Sequence, residues 1–107
     1  MPYVKLVSPA LQLMLHEHVA AFCQAHEGIK SVVASRLASA ADMNPENVLL
    51  SAAYMNDLVL AKAALDEGAG INAVPVGNSI NPIQLTAKQG HVEAFRFFAI
   101  NGAKMTA

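Results

Sequence analysis

The sequence predicts an all-α chain, a short solenoid of three stacked helical hairpins with one projecting β-hairpin-like loop. Three observations predict it. A capping side chain stands directly before proline at Ser8-Pro9, Asn44-Pro45 and Asn81-Pro82. Sliding the chain on itself by 34 residues brings Gly68-Ala69 onto Gly102-Ala103, Ala53 onto Ala87, Asn56 onto Gly90, Lys62 onto Arg96 and Leu49 onto Ile83. A period in the range of about 20 to 50 residues marks repeat architectures, whose units cannot bury an apolar face alone and must lean on a neighbour. Finally, 54% of residues are hydrophobic and only 14% charged, with Ala abundant, which excludes a disordered chain and favours close helix packing through small side chains.

Each element follows from local chemistry. A Ser or Asn oxygen accepts an orphan N–H of the first helical turn, and proline at the first helical position lacks the N–H that would go unpaired there. After Pro9, Leu11, Leu15, Val19 and Phe22 recur at helical spacing until Gly28. A second helix takes over with Ile29, Val33 and Leu37 and fades through Ala40 and Ala41. After Pro45 comes a helix carrying Val48, Leu49, Ala52 and Ala53. Asn56 tolerates the left-handed turn that follows, and Asp57 caps a helix over Leu58–Asp66 that Gly68 closes. The stretch INAVPVGNSIN comes next, with Val74 and Val76 alternating across a Gly77-Asn78 tip, and it suits a short projecting hairpin or an extended loop with a tight turn. After Pro82 the order repeats: a helix to Lys88, a turn at Gly90, a helix from Val92 to Ile100 and a stop at Gly102. The 107 residues make one domain, divided into an N-terminal helical cap over 8–43 and repeats over 44–73 and 74–107.

The last two units resemble the ankyrin-repeat family, over about Asn47 to Ala107. That family's Thr-Pro-Leu-His is matched by Asn81-Pro82-Ile83-Gln84, its Ala-Ala by Thr86-Ala87 and its Gly-His turn by Gly90-His91. Its terminal Gly-Ala-x-x-Asn-Ala is matched by Gly68-Ala69-Gly70-Ile71-Asn72-Ala73. The earlier repeat departs from the pattern. Val48 stands where Pro82 would predict proline, Leu50 replaces Gln84, the helix starts about a turn sooner at Pro45, and the loop is one residue longer. The resemblance implies a non-catalytic module that binds another protein across its hairpin loops and inner helices. Carried onto this chain, the contact positions are Val74, Val76, Asn78 and Ile80 of the loop and Tyr54, Met55, Lys88 and Gln89 at the inner-helix ends; for Tyr54 and Met55, packing between units is the equal alternative.

Other chemistry is poorly provided for. The net charge is −1 with scattered Lys and Arg, so the electrostatic footprint of nucleic-acid or acidic-membrane binding is missing. A single cysteine, Cys23, makes no internal disulfide and suits a reducing compartment. The longest charge-free stretch, Gly68 to Ala87, is broken by Gly, Pro and Asn, and no stretch resembles a signal peptide, since Lys5 is followed by Pro9, two His and a Glu without a cleavage pattern, so an intracellular, cytoplasmic protein is expected. His16, Cys23 and His26 or Glu27 lie near one helix face, but spread over three turns they do not converge on one metal ion. His26 is one turn from Cys23, yet no third group orients the pair and no phosphate loop marks a cleft, so neither a reaction nor a cofactor is expected. His91 belongs to the turn, and Lys62 and Arg96 form a solvated stripe.

The last helix raises a separate expectation. Terminal repeats normally carry a polar outer face, but this one holds Phe95, Phe97, Phe98 and Ile100. With Phe95 and Phe98 sharing the face toward the preceding hairpin, Ala94, Phe97 and Ile100 are left on adjacent arcs. Either the natural chain continues or another molecule, an identical copy included, covers that edge. A self-associating module is therefore the alternative to a binding scaffold.

Overall fold

The computed structural model describes residues 7–25, 44–74 and 80–104. Five α-helices fall in them and no strand: α1 (Pro9–Ala25), α2 (Pro45–Met55), α3 (Leu58–Asp66), α4 (Pro82–Gln89) and α5 (Val92–Ile100). The expected second helix of the first hairpin and the tip of the loop, Val76 and Asn78 included, lie outside the described residues. No described helix is long and apolar enough to cross a membrane.

The three proline starts are built as the side chains dictate. The Oγ of Ser8 accepts the N–H of Leu11 at 3.1 Å, Asn44 Oδ1 accepts that of Asn47 at 3.1 Å, and Asn81 Oδ1 accepts that of Gln84 at 3.0 Å. At the last start Gln84 also reaches back, its Oε1 accepting the N–H of Asn81 at 2.9 Å, so a reciprocal capping box forms. The Asn-x-x-Gln spacing is the sequence signal for that box. α2 spans 11 residues and α4 only 8 because Pro45 starts its helix earlier than Pro82 does.

The pairs α2–α3 and α4–α5 close in the same way. Asn56 and Gly90 both occupy the left-handed region, at φ 57° and 74°, and each is followed by an N–H that bonds back into the finished helix: Asp57 to Ala52 O and His91 to Thr86 O, both at 2.9 Å. The helix ends match too. Gly68 and Gly102 sit at φ 95° and 94°, and the N–H groups of Ala69 and Ala103 bond to Ala64 O and Phe98 O at 3.1 and 2.9 Å. Every one of these partners is displaced by 34 residues.

α2 packs on α3 and on α4, α4 packs on α5, and α1 lies against both α3 and α2. A single apolar core runs through them, with Leu11, Leu15 and Val19 from α1, Val48, Leu49 and Ala52 from α2, Leu60 and Ala64 from α3, Ile83 from α4, and Ala94 and Phe98 from α5. The alanines at the α2–α3 seam, Ala52, Ala53, Ala61 and Ala64, are all buried. Such small side chains let two backbones approach closely, and deleting a larger neighbour such as Leu60 to Ala would cost roughly 2–5 kcal/mol.

Candidate interaction surface

α1 is held against α3 at two points. The N–H of Ser8 donates to Glu67 Oε1 at 2.8 Å and its hydroxyl donates to Oε2. Ten residues further along α1, the Nδ1 of His18 meets Asp57 Oδ2 at 2.5 Å. Because Ser8 stands beside Glu67 and His18 beside Asp57, α1 runs antiparallel to α3. The two spacings are equal, so both fastenings fit one register at about 1.5 Å of rise per residue. Asp57 keeps its capping function in this arrangement, since its other oxygen, Oδ1, accepts the N–H of Leu60 at 3.0 Å. Next to it the ring of Phe22 meets that of Tyr54 edge to face, with centroids 6.0 Å apart. An open depression of about 430 Å³ lies there, lined by His18, Phe22, Met55, Asn56, Asp57 and Val59 among others. The local sequence pattern around His18 gave no sign of this contact; its partner is 39 residues away.

The contact positions inherited from the resemblance divide. Tyr54 is half-buried, and Lys88 and Gln89 are exposed. Tyr54 and Lys88 are 34 residues apart and hold equivalent places at the ends of α2 and α4, which lie side by side. His91 fastens the two helix pairs here, its Nε2 lying 2.9 Å from the carbonyl oxygen of Tyr54; a carbonyl only accepts, so Nε2 carries the proton. Met55 is 7% exposed and packs in the core, and it also lines the depression beside Asp57. In the loop, Val74 is exposed and Ile80 half-buried. Asn72 bridges the segments that follow α3 and α5: its Oδ1 accepts the N–H of Lys104 at 2.7 Å, and its Nδ2 donates to Gly102 O at 3.4 Å. Asn81, fully buried, donates through Nδ2 to Lys104 O at 3.0 Å.

No family model, curated protein or solved structure matches the chain.

His16 is exposed, Cys23 is half-buried against the core, and His26 and Glu27 lie outside the described residues. Among the described residues no three His, Cys, Asp or Glu side chains gather as metal ligands. Lys62 is exposed and pairs with Asp66 at 3.7 Å along α3.

The last helix is oriented differently from expectation. Ala94 and Phe98, one turn apart, form its buried stripe, while Phe95 and Phe97 flank it half-buried. The spacing i, i+4 centres this stripe, and pairing Phe95 with Phe98 would have rotated the helix toward its flank. Phe97 still packs edge to face on Phe98, with centroids 5.5 Å apart. Ile100 and Val92 are 77% and 66% exposed.

Proposed function

We propose that this chain is a protein-interaction scaffold, a short solenoid of helix pairs that is ankyrin-like in its last two units and catalyses no reaction. The recurrence of the turn and helix-end hydrogen bonds at a 34-residue displacement supports the repeat, and α1 stands as the described part of the first layer. What carries the reading is the alignment of Tyr54 with Lys88 at equivalent ends of adjoining helices, fastened together by His91. With Gln89 they make a strip of an amphipathic ring, a cation and an amide on a backbone already fixed by folding. Ordering such groups in advance reduces the entropy lost on association, and tyrosine is among the residues enriched where interface energy concentrates.

The partner expected is a protein surface with an acceptor or carboxylate for Lys88 beside an apolar contact for the Tyr54 ring. Affinity capture from the native cell extract, with the full chain as bait, tests this. Tyr54→Ala and Lys88→Glu, each checked for unchanged helicity, are expected to lose a protein that the wild type retains. Retention by both variants would remove the strip from consideration.

A further inference from the structure

The solvent side of α5 departs from that of its counterpart α3. At about 100° per residue, Val92, Glu93, Arg96 and Ile100 fall on one arc, opposite the buried Ala94 and Phe98 and bordered by Phe97. On α3 the equivalent places hold Leu58, Val59, Lys62 and Asp66, and there the base and the acid neutralise one another at 3.7 Å. On α5 the place of Asp66 is taken by Ile100, which leaves Arg96 without that acid, while Glu93 replaces Val59. Among the described residues neither Glu93 nor Arg96 makes an ion pair. An acid and a base three residues apart thus sit unpaired between exposed apolar side chains.

We propose that this face joins two copies of the chain, with their α5 helices antiparallel about a two-fold axis. Two-fold pairing turns every contact into two, and the register that sets Glu93 opposite Arg96 of the second copy also sets Arg96 opposite its Glu93. The same register lays Val92 against Phe97 of the second copy. Charge selects the occupant: the face carries both signs in places that the axis exchanges, so it complements itself without further groups, whereas an unrelated partner would have to supply a matching pair. The face is small, because a nine-residue helix is about 13 Å long and standard interfaces cover roughly 800 Å² on each side. The dimer is therefore weak and concentration-dependent.

Sedimentation equilibrium on the full chain over a wide concentration range tests the pairing. A monomer–dimer equilibrium weakened by added salt is expected, and Val92→Asp, which sets a carboxylate against Phe97 of the second copy, should make the chain monomeric. Glu93→Arg and Arg96→Glu are each expected to lower the association constant about tenfold, since two attractions become two repulsions at exposed sites. Combining them restores opposite charges and should recover association to within about threefold of wild type. All of these residues are exposed, so far-UV circular dichroism should not change. A strict monomer at the highest concentration, a dimer indifferent to either single reversal, or a double reversal no better than the singles would overturn the proposal. Phe97→Asp is the poorer probe, because Phe97 also packs on the core ring of Phe98.

Discussion

Asp57 uses one oxygen to start α3 and the other to hold α1. Its Oδ1 caps through the N–H of Leu60, and its Oδ2 faces His18. The two contributions separate by substitution. Asp57→Asn keeps a capping oxygen but removes the charge, whereas Asp57→Ala removes both and should cost about 1 kcal/mol more, the usual worth of a cap. His18→Ala combined with Asp57→Asn in a double-mutant cycle should show a coupling of about 1 kcal/mol, since the pair is partly shielded from water. Urea denaturation measures all four proteins, and additive effects would show that the short contact contributes nothing. The cap was legible in the sequence, but the pairing with His18 was not. A contact between residues 39 apart depends on how helices dock, and no local pattern encodes it.

Helix boundaries, by contrast, are written locally, and the sequence shows them well. Pro9, Pro45 and Pro82 begin helices, Asn56 and Gly90 turn the chain, and Gly68 and Gly102 end the pairs. Each is decided by the chemistry of one or two residues. The face that a helix turns inward is less legible, as α5 illustrates: Ala94 is buried although bulky phenylalanines stand on either side of the stripe. The shared turn geometry at Asn56 and Gly90 gives a test at this scale. Asn and Gly both accept positive φ, so Asn56→Gly and Gly90→Asn should each change stability by less than about 0.5 kcal/mol. A β-branched residue does not, and Asn56→Val and Gly90→Val should each cost roughly 1–2 kcal/mol. Among the described residues no atom beyond the chain neighbours lies within 4 Å of where a Cβ on Gly90 would stand, so any loss there reflects backbone strain and not a clash. Thermal melts of the four variants decide it.

For the whole molecule, the position of α1 rests on named polar contacts as well as on Leu11, Leu15 and Val19. Glu67 accepts both the N–H and the hydroxyl of Ser8. Glu67→Ala removes both acceptors and should cost about 1–2 kcal/mol. The loss should be local. Hydrogen exchange in the amides of α1 is expected to accelerate while that of α4 and α5, which touch neither Ser8 nor Glu67, stays as it was. Uniform acceleration across all five helices would show instead that the layers unfold only together.

The equal spacing of the two fastenings makes α1 a ruler. Ser8 and His18 are as many residues apart as Asp57 and Glu67, and both ends engage only while that tally is kept. One residue inserted between Met14 and Leu15 would swing His18 about 100° around the helix and push it roughly 1.5 Å along the axis. Asp57 would lose its ring while Ser8 stayed in place. The length of this segment is constrained more tightly than the identity of its solvent-facing residues, and indels there are expected to be tolerated far less well than substitutions.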